Sequence, residues 1–232
     1  MARALAGLDD WGLAGTRPEQ YRSDLAADEA ALAVLDRAGF GVLSEESGRL
    51  WPQRPITVVL DPVDGSTNAS RGVPWYATSL CAVDENGPAA SLVVNLASGM
   101  RFEAVRGEGA RRDGSTIRSS PCDRVSDALI ALSGLPPRHL GWKQFRSFGA
   151  SALDLCAVAC GVIDAFVDCS RNAHGAWDYL GAMLVCHEAG AVVIDALERD
   201  LLVLEHAARR TPIGAATGAL GAKLLEVRRS FE

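Results

Sequence analysis

Ile56-Thr57-Val58-Val59-Leu60 runs directly into Asp61-Pro62-Val63-Asp64-Gly65-Ser66-Thr67-Asn68. The first five residues are mostly apolar and β-branched, which predicts a buried strand. That strand carries Asp61 to the rim of a sheet. Pro62, with no N–H and a fixed φ, is expected to stop the ladder there. Two carboxylates three residues apart, then a turn glycine and two hydroxyls, make a place to hold a divalent cation beside a phosphate.

The chain around this stretch has 232 residues, 48% of them apolar, enough for a sizeable core in one large domain or two small ones. Its formal net charge of −6 and pI near 5.3 give no electrostatic reason for a nucleic-acid polymer or a membrane surface as partner. An anionic substrate therefore needs local help from metal ions or backbone dipoles. No apolar run reaches the ~20 residues that span a bilayer, and residues 1–10 lack the apolar centre of a signal peptide, so the default location is the cytoplasm. The six cysteines have no C-x-x-C spacing and read as reduced core thiols. Cys156 and Cys160 stand one helical turn apart, but among Ala, Val and Leu, which favours packing over metal binding.

Residues 1–20 hold Gly7, Gly12, Gly15 and Pro18 and predict a weakly specified lead with at most one helical turn. From 23 to 38, Leu25, Leu32 and Leu35 recur at helical spacing; Ser23 or Asp24 is expected to cap this helix and Gly39 to end it. A strand at 40–43 then delivers Ser44-Glu45-Glu46-Ser47-Gly48, with the glutamates at a strand-to-loop position. Residues 69–74 read as loop. Strands at 75–83, 89–96 and 100–105, separated by Asn86-Gly87 and Ser98-Gly99, have the pattern of an antiparallel meander. Gly107, Gly109 and Gly114 belong to hairpins, since no Lys-Ser/Thr follows to make a nucleotide loop. In the second half a strand at 128–132 precedes a helical pattern opening at Phe148-Gly149-Ala150-Ser151, and a strand at 163–167 ends at Asp168. A helix over 176–190 carries Asp178 at its N-cap and Leu180, Leu184 and Val185 on its buried side; strands at 192–194 and 213–216 and a helix at 218–229 complete the chain. His174 and His187 read as a loop residue and a helix residue.

Taken together, the Glu45-Glu46 pair, the 61–68 segment and Trp177-Asp178 with Glu188-Ala189-Gly190 resemble the inositol monophosphatase family of Mg²⁺-dependent phosphomonoesterases. The likeness runs from about Asp24 to the C-terminus and includes Arg146-Ser147-Phe148-Gly149. It implies a layered α-β-α-β-α sandwich of the inositol monophosphatase and fructose-1,6-bisphosphatase type, one domain over 1–232, with residues 1–22 a short lead where the family carries a long helix. It further implies that Glu45, Asp61, the Val63 carbonyl, Asp64 and Asp178 hold two or three Mg²⁺ ions, with Mn²⁺ as a substitute. Glu45 and Ser66 would orient and deprotonate a water, and Asp64 would share the catalytic centre. The N–H groups of Gly65, Ser66 and Thr67 would hold the phosphate, and Gly149, Ser151, Asp168 and Asp178 would contact the alcohol. Ser66 stands where threonine is more usual. The implied substrate is a small phosphorylated alcohol, inositol monophosphate first, with fructose 1,6-bisphosphate, histidinol phosphate and 3′-phosphoadenosine 5′-phosphate as alternatives. The implied assembly is a homodimer. An alternative of another class is a metal- or ligand-binding regulatory module that has lost turnover.

Overall fold

The computed structural model describes residues 2–16 and 20–231, so Pro18 of the lead lies outside the described residues. The lead contributes one short helix, α1 (Ala2–Ala6), whose Leu5 is buried against Ala27. The next helix, α2 (Arg22–Arg37), begins one residue earlier than its leucines suggest. Its N-cap is Tyr21 rather than Ser23 or Asp24, and Asp24, in the first turn, reaches back to accept the Tyr21 N–H at 3.2 Å. Gly39 ends it in the left-handed conformation, φ 79°, with its N–H on Asp36 O and the Phe40 N–H on Leu35 O.

Eight strands follow in the first sheet: β1 (Gly41–Ser44), β2 (Gly48–Leu50), β3 (Thr57–Asp64), β4 (Ala77–Asp84), β5 (Gly87–Asn95), β6 (Arg101–Val105), β7 (Gly109–Arg112) and β8 (Ser115–Thr116). Their order is β2-β1-β3-β4-β5-β6-β7-β8, and β1 with β3 is the one parallel pair among them. The second sheet is built from β9 (Leu129–Ser133), β10 (Gln144–Arg146), β11 (Ala165–Asp168), β12 (Val192–Asp195) and β13 (Pro212–Ala215), in the order β10-β9-β11-β13-β12. Four further helices are α3 (Ser66–Arg71), α4 (Ser151–Ala159), α5 (Leu180–Glu188) and α6 (Gly218–Arg229).

The period-two alternation of the strands assigns the layers. On β3, Val58 and Leu60 pack with Ala31 and Leu35 of α2, whereas Val59 faces the opposite side, towards α4 and α5. On β11, Phe166 faces those same two helices, whereas Ala165 and Val167 pack with Leu220 and Leu224 of α6. The layers are therefore α1 and α2, the first sheet, α4 and α5, the second sheet, and α6, the α-β-α-β-α sandwich the resemblance implies. Because α5 lies between two sheets it is buried from Leu180 to Cys186 on every side, not only along the stripe of Leu180, Leu184 and Val185.

Three local expectations change. Pro62 does not stop β3: the strand continues to Asp64 through a bulge, its partners on β4 passing from Ser79 at Asp61 to Ala77 at Asp64. A bulge is where a residue without an N–H can sit inside a strand. Ser66–Arg71 is helix rather than loop from residue 69, closed by Gly72 at φ 73°. Asp178 ends a 3-10 turn, Ala176–Asp178, and the N-cap of α5 is Tyr179. No helix among the described residues is long and apolar enough to cross a membrane.

Candidate active site

The bulge in β3 places two acids at the sheet rim with different surroundings. Asp61 lies inside the strand, 1% exposed. Beside it, the Glu45 N–H donates to Leu60 O at 3.1 Å, so the pairing of β1 with β3 extends by one residue and fixes where the Glu45 side chain starts. From the other sheet's side the 3-10 turn brings Asp178, whose Oδ2 accepts the Gly175 N–H at 2.7 Å. Ligand oxygens of Glu45, Asp61 and Asp178 lie within 4.8 Å of one another. Glu46 is not one of these three; its carboxylate accepts from the Gln20 amide, and its charge helps to raise Glu45.

Asp64 is adjacent but engaged. Its carboxylate accepts the Ser151 N–H at 3.2 Å and the Ala152 N–H at 2.7 Å, capping α4, whose own N-cap residue, Ala150, has no side-chain acceptor. Each oxygen keeps a lone pair for another partner. Gly65 turns the chain at φ 87°, and α3 opens immediately, so the amides of Gly65, Ser66 and Thr67 belong to a first helical turn. A Cβ on Gly65 would come 3.1 Å from Trp75 O, Gly149 O and Ala150 Cβ. Gly65→Ala is accordingly expected to cost about 1–3 kcal/mol, read as a lowered melting temperature. Asn68 Nδ2 donates to Trp75 O at 2.8 Å and Phe148 O at 2.7 Å, which ties α3 to the strand of chain carrying Gly149.

Ser66 Oγ donates to Val63 O at 2.8 Å, and the Asp24 carboxylate is also within its reach. One hydroxyl proton can serve only one of them. Asp24 is 4% exposed, and burial pushes its carboxyl up to about 6. In the sequence Asp24 stands with Ser23 as a candidate helix cap; a buried acid and a capping acid look the same in one sequence. Thr67 Oγ1 lies 3.0 Å from the Tyr21 hydroxyl.

Burial and then the Glu45 charge hold Asp61 well above the usual carboxylate range. Burial and then Asp178 do the same to Glu45 and raise Asp64 to about 7. Asp178 is raised by burial, opposed by His174. Asp61 Oδ1 is buried with no hydrogen-bond partner. Crowded, mutually repelling carboxylates with an orphaned oxygen are the donor set of a hard divalent cation, and Mg²⁺ fits them.

The remaining expected contacts are spread along one wall. Gly149, φ 85°, faces Asn68. Ser151 opens α4, and Asp168, fully buried, ends β11. Between them stands His174, 7% exposed, with Nε2 at 2.7 Å from Ser151 Oγ and Nδ1 at 2.9 Å from Asp168 Oδ2. Its place as a loop residue holds, but the loop is folded into the site. The segment after β12 adds His206, with Nε2 at 3.0 Å from Glu45 O and its ring 4.8 Å from Trp177, while the Arg209 guanidinium lies 5.0 Å over that same indole. No local pattern in the sequence signals either residue.

Among known proteins, the profile described as "Inositol monophosphatase family" matches residues 21–230. A fructose-1,6-bisphosphatase/inositol-1-monophosphatase of Thermococcus kodakarensis is 33% identical over 194 residues, 82% of this chain and 75% of its own. A fructose-1,6-bisphosphatase of Pyrococcus furiosus is 29% identical over 192 residues, with 82% and 75% covered. A solved structure of a Pyrococcus horikoshii protein with similarities to inositol-1 monophosphatase matches with a TM-score of 0.84 at 26% identity, over 93% of this chain and 88% of that one.

Proposed function

The chain belongs to the inositol monophosphatase family and is a phosphomonoesterase of it; from that premise we propose that it hydrolyses inositol monophosphate or a closely similar phosphorylated polyol. The observation that carries this reading is the convergence of Glu45, Asp61 and Asp178 within 4.8 Å, beside the first-turn amides of residues 65–67. Glu45, Asp61 and Asp178, with Asp64 and the Val63 carbonyl, would hold Mg²⁺, or Mn²⁺ in its place. When bound, the cations supply Lewis-acid stabilisation of the charge that develops during phosphoryl transfer.

The chain's own groups do the rest. The Gly65, Ser66 and Thr67 amides hold the phosphate oxygens. Ser66, its hydroxyl turned from the Val63 carbonyl to the buried Asp24 carboxylate, takes a proton from the attacking water as it gives its own to Asp24, and Glu45 orients the same water. Asp178 lies on the side of the departing alcohol, with Gly149 and Ser151 along the wall beyond it. Loss of turnover in a binding module would be expected to remove an acid, and Glu45, Asp61, Asp64 and Asp178 all stand.

A second reading keeps the chemistry and makes fructose 1,6-bisphosphate the substrate, favoured by the names of both relatives. Phosphate release from inositol 1-phosphate, fructose 1,6-bisphosphate, histidinol phosphate and 3′-phosphoadenosine 5′-phosphate, with and without Mg²⁺, separates the two. Mg²⁺-dependent release with the highest kcat/KM on inositol 1-phosphate is the expected result; the highest value on the bisphosphate selects the second reading, and no release from any of the four sinks both. Ser66→Ala is expected to lower kcat by about 10²–10⁴, whereas Ser66→Thr keeps the hydroxyl and most of the rate. The homodimer belongs to the same reading and predicts light scattering at twice 24.5 kDa.

A further inference from the structure

The connection from β12 to β13 is longer than its strands require. The two pair antiparallel with Asp195 opposite Pro212, a register that a hairpin of a few residues can close. Residues 196–211 stand there instead, a length that in compact domains goes with function. The base of this loop is fixed: the Asp195 carboxylate accepts the Thr211 N–H at 2.8 Å and pairs with Arg199, and Arg210 Nε donates to Asp200 O at 2.6 Å. The loop turns back at His206, where the Ala208 N–H reaches Glu205 O at 3.0 Å. Arg209 Nη1 holds that turn, donating to His206 O at 2.7 Å and Ala208 O at 2.9 Å.

The turn carries His206 from the second sheet onto the main chain of an acid from the first. A carbonyl oxygen only accepts, so His206 Nε2 bears the proton in its 3.0 Å contact with Glu45 O. The Glu45 N–H is already on Leu60 O, so both polar groups of this backbone unit are engaged, one by β3 and one by the loop. The imidazole also lies 4.8 Å from the Trp177 ring, tilted by 32°, with the Arg209 guanidinium 5.0 Å over the same indole. Trp177 is 3% exposed and immediately precedes Asp178. Gly175, where a Cβ would come 2.4 Å from the indole, packs its backbone there and gives its N–H to Asp178 Oδ2. One imidazole thus touches the backbone of Glu45 and the side chain next to Asp178, two acids that reach the cluster from opposite sides.

We propose that His206 is a positioning residue for the cation: seated on the Trp177 indole, it donates to the Glu45 carbonyl and so fixes Glu45 relative to Asp178. This rests on the reading above, in which those two carboxylates hold the divalent ion with Asp61. Carboxylates that repel one another move apart unless the chain that carries them is held. A ligand position fixed before the ion arrives need not be ordered when it binds. Without the His206 contact that ordering falls on the ion, and the ion binds more weakly.

Two variants separate the hydrogen bond from the packing. His206→Phe keeps a ring for the indole and removes the donor, whereas His206→Gln removes the ring and keeps a donor near the place of Nε2. Mn²⁺ alone is titrated into the cation-free protein and the free ion is read by electron paramagnetic resonance, so no turnover is needed. The Kd is expected to rise about tenfold in His206→Phe and to return most of the way to the parent's value in His206→Gln, with melting temperatures in EDTA near the parent's. A parent-like Kd in His206→Phe overturns the proposal. So does an equal rise in both variants, above all with a lowered melting temperature, since that marks a merely structural side chain. Asp61→Asn in the same titration separates this failure from that of the underlying reading. If Asp61→Asn binds Mn²⁺ as tightly as the parent, the ion is not held at the cluster and both fall; if it binds weakly while His206→Phe binds like the parent, only the positioning role falls. A second measurement uses the parent alone: long-range ¹⁵N–¹H spectra, in which His206 is one of four histidines and is assigned by its loss in His206→Gln. A proton on Nε2 is expected, and an unprotonated Nε2 overturns the contact.

Discussion

Asp61→Asn loses Mg²⁺-dependent phosphate release by a factor on the order of 10²–10³ or more, and gains thermal stability in the absence of divalent cations. The two effects have one cause. Asp61 is 1% exposed at a strand rim, its Oδ1 has no hydrogen-bond partner, and the charges of Glu45, Asp64 and Asp178 all push its carboxyl upward. Asparagine has nearly the same volume and can accept through one oxygen, so the packing at this buried position is kept. What disappears is a negative charge that only a cation compensates. Activity is followed as released phosphate across a Mg²⁺ titration, stability as melting temperature in EDTA. A variant that turns over at the parent's rate with Mg²⁺ shows that Asp61 is no ligand. A variant that is inactive and also less stable in EDTA shows instead that the carboxylate was needed for the fold.

This pairing of effects also marks what one sequence can reveal. Asp61, Asp64, Glu45 and Asp178 are legible because each follows a strand end or opens a helical segment, and such positions project over sheet edges. The layers are legible because β3 and β11 alternate with period two and the helices between the sheets are rich in small apolar residues. The details at the turns are not. Pro62 reads as a stop until β4 supplies a bulge register, and Asp178 reads as a helix cap until the 3-10 turn shows its carboxylate folded back on Gly175. Asp24 and His174 escape for another reason. Their partners, Ser66 for one and Ser151 for the other, are distant in sequence, and the helical spacing after Asp24 accounts for it as a cap without pointing to Ser66. Asn68 belongs to the recognisable segment, yet its role as a clamp on Trp75 and Phe148 is visible only once the second half of the chain has packed against the first.

Freed of divalent cations, the protein is expected to melt at its highest temperature near pH 5 and to lose stability steadily towards pH 8. Burial, followed by neighbouring carboxylates, raises Glu45 and Asp61 well above the usual range and Asp64 to about 7; burial raises Asp178, and raises Asp24 to about 6. A carboxyl whose folded pKa is raised holds a proton that the unfolded chain has already released at about pH 4. Its stabilising contribution is therefore complete below that pH and disappears as the pH climbs through the folded value. For Asp64, the move from 3.8 to about 7 corresponds to roughly 4 kcal/mol across the window, and even half of that lowers the melting temperature by roughly 4–8 °C in a chain of this size. Bound Mg²⁺ reverses the sign at the cluster, because the ionised forms become its ligands and protons now compete with it. With excess Mg²⁺ the decline towards pH 8 should flatten or invert, apart from the residue owed to Asp154, whose carboxyl is raised by burial beside Trp75 and lies outside the cluster. Differential scanning fluorimetry from pH 5 to pH 8, in EDTA and in Mg²⁺, reads both slopes. A melting temperature in EDTA that is flat or rises with pH contradicts the crowded-carboxylate account, and equal slopes in the two buffers contradict the placement of the cation among Glu45, Asp61 and Asp178.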